Sequence, residues 1–160
     1  MGDKDGDRRA RYLSFMRDIA QLTQWARENP DCSAGVWADD SADDAQRGIR
    51  VGIVGDLARP EAELRALLEN PALLELVPRR FTEAELRKLQ GRIADERMTL
   101  KREGAGYQVT LVGVDVLANR TMIGIHPYTE AFAAELSDEY GADRVVVSAQ
   151  QIYQRQFPAK

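Results

Sequence analysis

Four features of the chain carry residue types able to do chemistry: the glycine-containing run RVGIVGDLARPEAELRALL over 50–68, the acidic cluster Asp39, Asp40, Asp43 and Asp44, the single histidine His126, and the single cysteine Cys32. A phosphate loop needs closely spaced glycines and a helix that starts at once, so that free N–H groups point at the anion. Here Gly52 lies inside the strand pattern, and Leu57, Ala58 and Arg59 separate Gly55 from the helix, so the run reads as strand, turn and helix without nucleotide. The acidic cluster lacks the alternating ligands, the turn glycine and the distant bidentate glutamate of an EF-hand, and reads as a solvated hairpin loop. His126 has no recognisable nucleophile motif to serve. Asp115 on the partner strand is its one candidate orienter, with Tyr128 nearby as a polar neighbour. The pairs Glu61/Glu63 and Glu83/Glu85 fall in first helical turns, where the helix dipole already accounts for them. No catalytic residue, cofactor or metal is expected.

The elements that would position these groups follow from patterning. The chain has 160 residues, 44% hydrophobic and 30% charged, enough to bury a core in one domain or two small subdomains. A net charge of -4 argues against a nucleic-acid partner, which requires a cationic face. No apolar run is long enough to span a bilayer, so membrane insertion is not expected, and the charged start MGDKDGDRRARY is no signal peptide. One cysteine excludes an internal disulfide.

Tyr12, Phe15, Met16, Ile19, Leu22 and Ala26 recur at three- and four-residue spacing, predicting an amphipathic helix over 7–29 that Pro30 stops. A hairpin, a helix opened by Pro60 and a strand LLELVP make a first unit over 34–80. Thr82 and Glu85 have capping-box spacing at the start of a long bridging helix over 82–103. A second hairpin turns at Asn119, a residue tolerant of the left-handed conformation; a helix closed by Gly141 and the strand RVVVS complete a second unit over 107–148, followed by a tail over 149–160. The two halves share an order of elements, and Gly35-Val36 pairs with Gly113-Val114 as RVGIVGD pairs with RTMIGIH. The expected fold class is α+β: two tandem strand-strand-helix-strand units joined by a long helix, their sheets mostly antiparallel with helices on one side, preceded by an N-terminal helix.

The stretches GVWADDSADDAQRGIRVGIVGD, PRRFTEAELRKLQGRI, GVDVLANRTMIGI and EYGADRVVV resemble the prodomains of actinobacterial secreted serine proteases of the alpha-lytic protease and streptogrisin type, or a stand-alone relative, over roughly 34–147. The resemblance implies a non-catalytic folding assistant and inhibitor that binds a protein partner, a secreted serine protease, and works outside the cell. Its C-terminal unit would pack a sheet on the protease, and its tail would enter the active-site cleft as a product does. Carried over, the partner-binding residues are Val112, Val114, Ile123 and Ile125 of the second hairpin and Ile152, Tyr153 and Phe157 of the tail. Two other readings stand beside it: a small enzyme or ligand-binding protein with a cleft near His126, Asp115 and Tyr128, and an assembly protein pairing through strand edges.

Overall fold

A computed structural model describes the chain over residues 4–39, 48–99 and 104–150. The chain divides into two compact units, Met1–Ala84 and Glu85–Lys160, so the N-terminal helix belongs to the first and nearly all of the bridging helix to the second.

In the first unit, helix α1 (Lys4–Glu28) leads into strands β1 (Ser33–Ala38) and β2 (Ile49–Ile53), helix α2 (Ala58–Leu67), a single 3-10 turn, and strand β3 (Leu74–Pro78). Alternation along β2 puts Ile49, Val51 and Ile53 on one face, where Leu22 and Trp25 of α1 and Leu64 and Leu68 at α2 cover them. Both helices therefore occupy one side of the sheet. The expected helical stripe is only partly the buried one: Phe15, Ile19, Leu22, Trp25 and Ala26 pack inward, whereas Tyr12 and Met16 are exposed. Asn29 ends α1 by donating its backbone N–H (3.0 Å) and its side-chain amide (2.9 Å) to the Trp25 carbonyl. Asp18 is completely buried, and its carboxylate accepts from the backbone N–H groups of Glu69 (2.9 Å) and Asn70 (3.3 Å), which α2 leaves unsatisfied as it ends. Charge-assisted bonds of this kind contribute roughly 1.5–3 kcal/mol each.

The second unit runs α3 (Glu83–Ile93), a π-helical extension (Ala94–Thr99), β4 (Gln108–Asp115), β5 (Arg120–His126), α4 (Glu130–Tyr140) and β6 (Val145–Ala149). The long helix expected here is thus α-helical only to Ile93 and then widens. Asn119 takes the left-handed conformation at φ 54°, as its place in the hairpin turn predicts. Thr129 caps α4 by accepting from the Phe132 N–H (3.2 Å), and Gly141 ends it with a bond to the Ser137 carbonyl (2.9 Å). Ile93, Tyr107, Ile123, Ile125, Leu136, Tyr140 and Val145 form the core.

The fold is α+β, with an N-terminal helix and two three-stranded sheets of the same topology. Each sheet is evenly mixed rather than mostly antiparallel: β1–β2 and β4–β5 are hairpins, while the helical crossover returns β3 parallel to β2 and β6 parallel to β5. The internal repeat extends to register. Both hairpins break register at one point, between Ser33 and Gly35 in the first and between Val109 and Leu111 in the second, the first of each pair standing opposite Ile53 and Ile125. Past the third strand, the Arg79 N–H bonds the Ile53 carbonyl (2.7 Å) and the Gln150 N–H bonds the Ile125 carbonyl (3.0 Å). Gly52 and Gly124 then correspond, and Val36 matches Val112. The correspondence read from the letters is two residues out of step, a slip that a period of two conceals because every side chain keeps its face.

Candidate interaction surface

The two faces of the second sheet differ in kind. Residues paired as Val112 with Ile123 and Val114 with Thr121 point toward α3 and α4. Thr121 Oγ donates to the Leu86 carbonyl (3.1 Å), and Gln90 Nε2 donates to the Val112 carbonyl (3.2 Å), tying α3 to that side. Ile123 and Ile125 are 0% exposed there, and Val112 and Val114 are half-buried. These four side chains were the expected contact residues of the hairpin. Ile123 and Ile125 lie in the core with Val112 packed against it, and Val114 is half-buried on the same side, so a partner on the outer face does not meet Ile123 or Ile125. Strand alternation is the physical reason: a strand rich in apolar residues on both faces does not declare which face the helices cover.

The residues between them form the other face: Leu111, Gly113, Met122, Gly124, Val146 and Ser148. Leu111 is 37% exposed, and Gly113, Met122, Val146 and Ser148 are half-buried. Ser148 Oγ is itself buried and has no hydrogen-bond partner among the described residues. Across these residues the face carries no formal charge, and the same alternation places the paired Asp115 and Arg120 at its turn end. β4 and β6 are its edge strands, and β6 leads straight to the C-terminal tail. Ile152, Tyr153 and Phe157 lie outside the described residues.

Behind the core face sits a polar cluster that the sequence did not announce. Arg97, on the π-helical turn, is buried, with its Nε donating to Tyr140 Oη (3.1 Å), Nη1 donating to Tyr107 Oη (3.3 Å), and Nη2 paired with Glu139. Tyr140 in turn donates to Glu96 (2.8 Å), Tyr107 to Glu135 (3.2 Å), and Arg92 bonds Glu96 (3.0 Å). Hydrogen bonds from Arg92 and then Tyr140 hold the Glu96 carboxyl below the ordinary glutamate range. Burial first of all raises the Tyr140 phenol. Burial works against the charge on Arg97, but the bond to Tyr140 and the nearby Tyr107, Tyr140 and Glu135 outweigh it and keep the guanidinium charged. The only early signal was an arginine on a helix whose i+10 neighbour is a tyrosine. The π turn that aims it inward is not written in propensity. The cluster fastens the α3 segment and its π-helical extension, α4 and the residue before β4 together.

The other chemical candidates stay apart. In the β4–β5 ladder His126 stands opposite Gln108 and Asp115 opposite Arg120. Six residues of strand separate the two ends, about 20 Å at the ordinary rise, so Asp115 cannot orient His126. Asp115 instead accepts from the Ala118 N–H (2.9 Å) and shapes the turn. His126 and Tyr128 are exposed. The Cys32 thiol is pushed up by burial and then by Asp31 and Glu63, the opposite of an activated thiolate. Of the acidic cluster, Asp39 pairs with Arg50 (2.9 Å), and Asp40, Asp43 and Asp44 lie outside the described residues. Among the described residues no group of three or more His, Cys, Asp or Glu is placed to hold a metal ion, and no helix is long and apolar enough to cross a membrane.

No protein-family model, curated protein or solved structure matches this chain.

Proposed function

We propose that the chain is a non-catalytic protein-interaction module that acts as propeptides of the alpha-lytic protease and streptogrisin type act, binding a secreted serine protease through the second sheet and the C-terminal tail. The observation that carries this reading is the pairing at the end of β6: the Gln150 N–H still bonds the Ile125 carbonyl (3.0 Å), so an edge strand stays paired up to the last described residue before the tail sequence. Recognition by an extended segment and a sheet edge rests on backbone hydrogen bonds, with alternate side chains supplying specificity. The uncharged outer face of Leu111, Gly113, Met122 and Val146 supports it, because such a surface can be covered at little cost in desolvating charge. The side-chain contacts assigned to the hairpin pass from Val112, Val114, Ile123 and Ile125 to these residues.

The test is inhibition of trypsin-class serine proteases by the full chain and by a chain ending at Gln150. Inhibition by the full chain and its loss on truncation supports the reading. Equal potency of the two counts against the tail, and failure of the full chain either to inhibit such proteases or to speed their refolding sinks the proposal.

A further inference from the structure

Strand β6 bounds its sheet with an edge that the first unit, at the same place in the frame, closes. In a parallel ladder alternate residues turn their backbone groups toward the neighbouring strand, and the residues between them turn theirs away. The Thr121 N–H bonds the Arg144 carbonyl (2.8 Å) and the Gln150 N–H bonds the Ile125 carbonyl (3.0 Å), so Val146 and Ser148 face β5 while Val145, Val147 and Ala149 face outward. The Val145 N–H is spent on the Gly141 carbonyl (3.1 Å). The Val145 carbonyl and both backbone groups of Val147 and Ala149 have no hydrogen-bond partner among the described residues. In the first unit Leu74, Leu76 and Pro78 hold these positions. Leu74 likewise gives its N–H to a turn, at the Pro71 carbonyl, but Pro78 has no N–H to offer, and a proline on an edge strand blocks the addition of another. β6 has Ala149 there, and from Val145 to Ala149 it carries neither proline nor charge.

We propose that β6 pairs antiparallel with β6 of a second copy of this chain, about a two-fold axis at Val147, joining the two second-unit sheets into one. The edge is complementary to itself, and that selects the occupant. Centred on Val147, the pairing lets the two Val147 residues exchange both of their bonds, and each Ala149 N–H meets the Val145 carbonyl of the other copy. The one donor such a pairing lacks, the Val145 N–H, is already satisfied within its own chain, and the Ala149 carbonyl it leaves over belongs to an exposed residue that water reaches. The faces agree as well. Val147 lies beside Val147 on the core side, and Val146 lies beside Ser148 on the outer side, β-branched neighbours of the kind that stabilise cross-strand pairs. Arg144 comes opposite Gln150, so no like charges meet along the seam although each copy carries a net charge of -4. Because both copies use the same edge, the contact closes at the dimer. The inference does not rest on the protease-directed reading, and the two uses of this edge exclude one another.

The experiment follows the full chain over a concentration series by analytical ultracentrifugation and, in the same samples, by residue-resolved amide exchange. The expected result is a mass that rises from monomer to dimer, with the Val147 and Ala149 amides gaining about tenfold or more in protection where the dimer predominates, while Val146 and Ser148, already bonded to β5, change little. Ala149→Pro gives the second unit the residue of the first and should weaken association about tenfold or more. Ala149→Lys places a charge at an exposed edge position and should do the same; it carries the test if circular dichroism shows the proline variant misfolded. A mass that stays monomeric, a dimer whose Val147 and Ala149 amides remain unprotected, or undiminished association of Ala149→Lys overturns the proposal. So does protection of these amides that is independent of concentration, which would assign the edge to the chain's own tail, or protection gained only when a serine protease is added, which would assign it to the protease.

Discussion

The two units share a frame and finish it differently. In the first, the outer face of the sheet is filled by the unit's own side chains: Arg79 stacks over the Trp37 ring (4.8 Å), and Arg50 pairs with Asp39 (2.9 Å) and Glu75 (2.7 Å). At the corresponding positions the second unit has Gly113 for Trp37, Met122 for Arg50, Val146 for Glu75 and Gln150 for Arg79. The inner sides differ too. Two helices cover each sheet, but α1 and α2 do so through apolar side chains, whereas α3 and α4 are also joined by the buried Arg97 cluster. The lesson is that a duplicated ββαβ frame is held by its register, bulge and crowded glycine. What it presents outward is set by a few side chains free to change.

The strongest way to break the comparison is at Arg97. Replacing it by Ala removes one partner of a buried ion pair and a donor from two phenols that keep only their bonds to Glu96 and Glu135, and should cost about 3–5 kcal/mol in denaturant unfolding. A loss under about 1 kcal/mol would show that the cluster only decorates the core. Next come the two glycines of the second sheet's outer face. A Cβ on Gly124 would sit 3.0 Å from Leu111 Cβ and collide with Gln150 Cγ, so Gly124→Ala should cost about 1–3 kcal/mol. A Cβ on Gly113 meets only Met122 Cε at 3.9 Å, so Gly113→Ala should be neutral or stabilise by about 0.5–1 kcal/mol, as an Ala for Gly in a strand does. Equal effects at the two sites would contradict the described register.

Trp37→Ala sharpens the contrast between the outer faces. It removes the stack under Arg79 and should lower the stability of the first unit by about 1–2 kcal/mol, read as a shift in thermal midpoint. The smallest effect is one of pH. Because the folded-state carboxyl of Glu96 lies below its unfolded value, its contribution is present above the ordinary glutamate range and is lost as the pH falls through that range and below it. Glu96→Gln should flatten that part of the acid-unfolding profile, and an unchanged profile would show that the bonds from Arg92 and Tyr140 do not form in solution.

Much of the frame was legible in the residues. Pro60, Asn119 and Gly141 punctuate the elements by local stereochemistry, and Leu64 and Leu136 lie where helical periodicity puts a core. Local pattern was mute where tertiary contact decides. The α1 stripe was drawn through Tyr12 and Met16 because spacing alone cannot tell which arc finds a sheet. The hairpin's contact residues were placed at Ile123 and Ile125 because both faces of β5 carry apolar residues. The letter correspondence falls two residues off because Gly and Val recur along β1, β2 and β4. Arg97 was passed over because a π turn depends on what the helix packs against.

Asp18 ties the fate of one end of the chain to the middle of the first unit. Its carboxylate is the acceptor on which the Glu69 and Asn70 N–H groups depend, and Leu22 and Trp25 from the same helix roof the sheet. Proteolytic clipping ahead of Pro30 would therefore do more than shorten the molecule: it would unroof β2 and deprive the turn after α2 of its anchor, so the cut product should lose the first unit's amide-exchange protection as a block.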